Sequence, residues 1–319
     1  MDGYLSVNLY TFEDLRPLGS CIMGIVEALF QLSPKYRPVK FRADLVGKRR
    51  NRFFKASTQN LNRLKEELVA GAIRELQIND NEGPEGVRPR LAYDTNLYGL
   101  AFWLGLTKPL EKATPALPSS PNECQFLIRA DALADGRTFS DLITLSKRAF
   151  SSLSSSWGDI YYCSSHRVCF DHLIGISCVQ FDQYGIKYYL QVHPHSFESP
   201  TMVIIDRTAF IDTTCDTLAR DAYFGVFLGP VHVRLLGGME RLRKDVPYEV
   251  IEALPGGGAF LMAASDPFRF EAPEVQARIE RLREVLAPIS MAQVEGEREA
   301  RAIAERLRSS MAGAETPST

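Results

Sequence analysis

No apolar run in the 319 residues reaches the roughly 18 needed to cross a bilayer as a helix. The best candidate, Leu97 to Leu106, has only strand length and is broken by Gly99 and Gly105. The opening Met1-Asp2-Gly3-Tyr4 carries no basic stretch before an apolar core, so no export signal is expected. Six cysteines, at 21, 124, 163, 169, 178 and 215, lie scattered along a long chain. That pattern fits reduced thiols in the cytoplasm rather than a disulfide framework. A surplus of either charge is also missing. The net charge of −2 argues against a protein built chiefly to grip nucleic acid by counterion release. There is no phosphate loop ending in Gly-Lys-Ser/Thr, and neither Gly237-Gly238 nor Gly256-Gly257-Gly258 sits in the strand–GxGxxG–helix setting of a dinucleotide site.

What remains is an ordinary globular composition, 45% hydrophobic and 24% charged. The length allows one large or two ordinary domains. Tyr4 to Tyr10 alternates as a strand, and Leu15 to Leu32 has helical spacing that stops at Ser33-Pro34. Phe41 to Val46 reads as a strand. Asn51 to Gln77 reads as one long helix, with Leu61, Leu64, Leu68, Ile73 and Leu76 on its apolar stripe and Phe53 and Phe54 packing against it. Leu91 to Asn96 and Leu97 to Leu104 read as paired strands. Four prolines between Lys108 and Pro121 mark a linker.

No fixed-period repeat is present, but beyond the linker the chain again begins strand then helix, with strand Cys124 to Ala130, helix Phe139 to Leu153 and strands near 159–163, 173–179, 187–193 and 201–205. Tyr248 to Ala253 and Ala259 to Ala264 form two strands about the glycine turn. A helix then opens at Ala272-Pro273-Glu274, with proline and an acid in its first turn, and ends before Ser290. The expected fold is α+β, with mostly antiparallel sheets packed by helices. The expected domains are 1–108 and 123–290, two related α+β units joined by a linker over 109–122. A charged helix and tail follow over 291–319.

Several clusters have the residue types of chemistry. Cys163, His166, Cys169 and His172 recur every three residues and are all zinc-ligand types. One short stretch wraps a tetrahedral ion poorly, however, and core thiols with polar imidazoles are the favoured reading. His193-Pro194-His195 lacks a paired acid. Lys35 to Lys55 holds nine basic residues against the single acid Asp44. A solvated loop is the plain reading of that run; an acidic protein face or nucleic acid are the alternatives. Asp206, Asp212, Asp216 and Asp221 crowd one short stretch, either as solvated loop and helix-start acids or as a patch that steers a basic protein.

The order of these pieces resembles that of polymorphic-toxin immunity proteins found beside type VI secretion effectors, especially effectors with restriction-endonuclease-like toxin domains. The likeness lies in the leading strand and helix that end in Phe30-Gln31-Leu32-Ser33-Pro34, with Tyr93-Asp94-Thr95-Asn96 further on. It continues in a strand and helix closed by Ser156-Trp157-Gly158-Asp159. A third part runs from Gly257 through Phe260 to Ala263, then by Asp266-Pro267-Phe268 to a helix ending near Leu286-Ala287-Pro288-Ile289. The resemblance implies a cytoplasmic, non-enzymatic inhibitor that binds a cognate secreted toxin encoded next to it and blocks the toxin's active or substrate-binding surface. A nuclease toxin would present a basic face, so the expected contacts are Asp206, Asp212, Asp216 and Asp221, with Trp157 and Asp159. No metal, cofactor, nucleic acid or membrane is expected. The competing expectation is a hydrolase or metal-dependent enzyme centred on the His, Cys and Asp cluster.

Overall fold

A computed structural model describes residues 4–11, 13–46, 53–80, 100–105, 122–163, 188–192, 202–206 and 222–289. The fold is α+β. The described residues through Cys163 form one compact unit and those from Tyr188 onward another.

In the first unit, strands β1 (Tyr4–Thr11), β2 (Lys40–Leu45), β3 (Phe54–Lys55), β4 (Ile73–Asn79), β5 (Leu100–Gly105), β6 (Asn122–Arg129) and β7 (Trp157–Cys163) run antiparallel in the order β7-β1-β6-β5-β4-β2-β3. The register sorts their side chains by polarity. Ile160, Val7, Phe126, Phe102, Ile78, Phe41 and Phe54 occupy one row across the sheet. The neighbouring row carries Asp159, Asn8 and Gln125 on β7, β1 and β6, and Gln77 and Arg42 on β4 and β2. Successive residues on a strand face opposite sides, so one sheet face is apolar and the other carries a polar band. Ring pairs tighten the apolar row, with centroids 5.1 Å apart for Phe102–Phe126 and 5.9 Å for Phe41–Phe54.

Helices α1 (Gly19–Leu29), α2 (Thr58–Val69) and α3 (Arg137–Ser152) accompany this sheet. Ile22, Ile25, Val26 and Leu29 of α1 are buried, and α1 lies against both α2 and α3. The long helix expected over 51–77 is instead three elements: β3, α2 and β4. Ser57 caps α2 by accepting from the Asn60 N–H. At the other end Gly71 takes φ +63°. The Ala72 N–H then reaches the Glu67 carbonyl and the Gly71 N–H the Leu68 carbonyl, both at 3.0 Å. That pair of bonds is the glycine-dependent helix stop of the Schellman type. Ile73 and Leu76, spaced as if on the helix, belong to β4. Phe54 likewise lies in β3.

The chain does not divide at the proline-rich stretch. β1 is hydrogen-bonded on one side to β6 and on the other to β7, so residues 122–163 complete the sheet begun by residues 4–11. Of the linker expected over 109–122, residues 109–121 lie outside the described residues and Asn122 already opens β6; 81–99, 164–187 and 290–319 also lie outside.

In the second unit, β10 (Gly225–Leu228), β11 (Val250–Ala253) and β12 (Ala259–Met262) align antiparallel in the order β11-β12-β10. The β11–β12 connection is the expected glycine turn, with Gly256 and Gly257 at positive φ. Helices α4 (Pro230–Leu235), α5 (Gly238–Asp245) and α6 (Pro273–Leu286) complete it. Val275, Ile279, Leu282 and Leu286 form the buried stripe of α6. The Phe227 and Phe260 rings lie 4.8 Å apart in the core. The Tyr248 hydroxyl donates to the Tyr223 carbonyl at 2.6 Å. Strands β8 (Tyr188–Val192) and β9 (Met202–Asp206) pair with each other as a separate antiparallel ladder.

Candidate interaction surface

The residues expected at a partner contact fall partly inside and partly outside the described residues. Trp157 opens β7 and pairs with Tyr10; Asp159 pairs with Asn8. Both are buried, at 2% and 0% exposure, and therefore supply no exterior contact. Asp159 is held from within: its Oδ1 accepts from Asn8 Nδ2 at 2.7 Å. Asn8 Oδ1 accepts in turn from the Ser6 hydroxyl at 3.3 Å, and Ser6 Oγ from Gln125 Nε2 at 3.0 Å. Alternation alone assigns such a polar residue to a wet face; here Asp159 is buried and its hydrogen bond is made inside the sheet, with Asn8 of the neighbouring strand. Asp206 closes β9 opposite Tyr188. Asp212, Asp216 and Asp221 lie outside the described residues.

The cysteine–histidine cluster is reached only at its first member, Cys163, at the end of β7; His166, Cys169, His172, His193 and His195 lie outside. Among the described residues no group of three or more His, Cys, Asp or Glu is placed to hold a metal ion. No described helix is long and apolar enough to cross a membrane.

Of the basic run 35–55, Lys48, Arg49, Arg50 and Arg52 lie outside the described residues, and the described members take different places. Arg42 turns inward: Nη2 donates to Glu75 Oε1 at 2.6 Å, and Nε lies 3.7 Å from Asp44 Oδ1. Lys35 and Arg37 stay at the surface on the loop that leaves α1. That loop is tied down at several points. Ser33 Oγ accepts from the N–H groups of Lys35 and Tyr36, each at 3.3 Å. Asp131, just past β6, accepts from Lys35 Nζ at 2.8 Å and from the Tyr36 hydroxyl at 2.9 Å, with Arg129 Nη2 at 3.4 Å. The cations of Lys35 and Arg129 sit 5.4 and 5.9 Å from the centre of the Tyr36 ring.

The protonation of this group follows from its neighbours. Partial burial and the adjacent Asp131 push the Tyr36 phenol up, and the hydrogen bond to Asp131 raises Lys35. At Asp131 desolvation pulls upward, but the hydrogen bonds from Lys35 and Tyr36 outweigh it and hold the carboxyl below its usual range.

Beside this loop opens a cleft of about 310 Å³, walled by the chain from Phe30 to Pro34, by Arg37, and by the first turns of α3 at Arg137, Thr138 and Asp141. Arg137 is 86% exposed on its side chain and lies 3.5 Å from Asp141. Asp135 holds the helix start by accepting from the Thr138 N–H at 2.8 Å. The individual signals for this site were in the sequence, as the basic run and the Ser33-Pro34 stop. Their meeting with residues a hundred positions later was not.

No family model matches the chain, and no curated protein matches it. Among solved structures, the T6SS protein PA0821 of Pseudomonas aeruginosa superposes with a TM-score of 0.58. The match covers 96% of this chain and 83% of that one, at 12% sequence identity. The likeness is one of fold.

Proposed function

We propose that this chain is an immunity-type protein of a type VI secretion system, which binds a cognate toxin and occludes its active or substrate-binding surface. The observation that carries this reading is the fold shared with T6SS protein PA0821 over nearly the whole chain. The residue pattern from Phe30-Gln31-Leu32-Ser33-Pro34 to Pro288-Ile289 supports it independently. The polar groups of the first sheet also support it: Asn8 is paired with Asp159 and Arg42 with Glu75, in the manner of framework residues.

The protein acts by binding, with no bond made or broken. Its toxin is a nuclease encoded beside it, and the aspartates from Asp206 to Asp221 meet the basic surface such an enzyme presents to its substrate. Co-expression with the product of the neighbouring reading frame tests the reading. Cells making both proteins are expected to survive where the neighbour alone kills, and the two are expected to elute as a one-to-one complex. Absence of both protection and complex would sink it.

A further inference from the structure

We propose that the cleft between the loop leaving α1 and the start of α3 docks an acidic segment of the protein partner, with Arg37 and Arg137 gripping its carboxylates. This deepens the toxin-binding reading and rests on it. The charge balance favours such a guest. Lys35, Arg37, Arg129 and Arg137 stand against Asp131, Asp135 and Asp141, four positive charges to three negative, and Asp135 is turned to the Thr138 N–H and hydroxyl. Asp131 occupies Lys35 and Arg129, and Asp141 lies 3.5 Å from Arg137. Arg37 makes no ion pair among the described residues, and its exposed guanidinium has five donors in a fork matched to a carboxylate.

The shape agrees. A volume of about 310 Å³ lies at the small end of ligand pockets, suited to one or two inserted side chains rather than a large cofactor. Phe30 and Pro34 offer apolar wall to the stem of a glutamate. Preorganisation agrees too. Ser33, Tyr36 and Asp131 already fix the loop, so a partner loses little affinity in ordering it. An exposed arginine beside a braced tyrosine is also the composition in which binding energy concentrates. Nucleic acid is the other anionic guest, but it calls for a longer basic track with stacked aromatic platforms, and the chain's net charge is −2.

The test compares Arg37→Glu/Arg137→Glu with Arg63→Glu/Lys65→Glu, which makes the same charge change on exposed positions of α2. The neutral pair Arg37→Gln/Arg137→Gln guards against a folding defect. Arg137→Glu gains from an acid in the first turn of α3 and loses the exposed pair with Asp141, two effects of similar size and opposite sign. Both cleft variants are expected to bind the neighbouring toxin at least about tenfold more weakly than wild type, with unchanged thermal midpoints, while the α2 variant binds within about twofold. Equal binding by all forms overturns the cleft while leaving the toxin reading intact. If wild type forms no complex with the neighbour, the toxin reading fails and a hexaglutamate peptide judges the cleft alone. Saturable amide shifts at residues 30–37 and 137–141, lost in Arg37→Glu/Arg137→Glu, uphold it; no shifts overturn it. Retention of duplex DNA by wild type and not by this variant also overturns it, in favour of nucleic acid.

Discussion

Two glycines of the first unit control how α1 and α2 end and meet, and they do so by different physics. Gly71 needs its positive φ, while a Cβ there would meet only Arg16 atoms at ordinary contact distance. Gly71→Ala should therefore cost about 1–2 kcal/mol, the strain of the left-handed conformation alone. Gly19 has ordinary helical angles, but a Cβ on it would lie 2.1 Å from the Leu68 carbonyl oxygen, a backbone atom of α2 that cannot swing aside. Gly19→Ala should cost more, roughly 1–3 kcal/mol or beyond, because two helices must separate. Urea midpoints of the two variants are expected to rank wild type above Gly71→Ala above Gly19→Ala. Tyr4 gives a second prediction at this scale. Burial pushes its phenol up to about 12 from 10.0. The folded state thus keeps the proton that the unfolded chain releases near pH 10, so this contribution is full below pH 10 and is lost as pH rises toward 12. Tyr4→Phe should flatten the alkaline decline in thermal midpoint over that interval and leave the neutral value nearly unchanged.

Most elements were legible because their signals are local. β1, β2, β6, α3, β11, β12 and α6 all stand within a few residues of the periodicity or caps that announce them. The long helix expected over 51–77 failed on one residue: leucine spacing carries on through Gly71, and the spacing was weighed above the glycine. Residues 225–245 drew no assignment although Gly225–Leu228 is a four-residue apolar strand and Gly229-Pro230 opens a helix with proline at its first position. The polar band was not legible at all, since it exists only through register. In that band Arg42 on β2 is buried between Glu75 and Asp44. Arg42→Met should destabilise by about 1–3 kcal/mol, because the half-buried Glu75 loses its guanidinium partner while Asp44 keeps Arg74 at 3.9 Å. Arg42→Met/Glu75→Leu should recover part of that loss in the same urea titration. If the double variant proves no more stable than the single one, the ion pair is not what holds β2 to β4.

At the level of the whole chain, the two charged features have opposite signs, and a protein that grips its partner by two opposite charges gains orientation as well as affinity. The aspartates at 206, 212, 216 and 221 are the proposed contact for a basic nuclease face, and the Arg37–Arg137 cleft for an acidic segment. Charge at an interface rim acts mainly on the encounter: steered association reaches about 10⁸–10⁹ M⁻¹s⁻¹ at low salt against 10⁵–10⁶ without steering. Changing all four aspartates to asparagine should therefore slow association by one to three orders of magnitude at low salt and flatten its dependence on ionic strength. The dissociation rate should move much less. Stopped-flow mixing with the proposed toxin partner across a salt series measures both. An association rate and salt slope equal to wild type would place the toxin's basic face elsewhere on this molecule, even if protection in cells persisted.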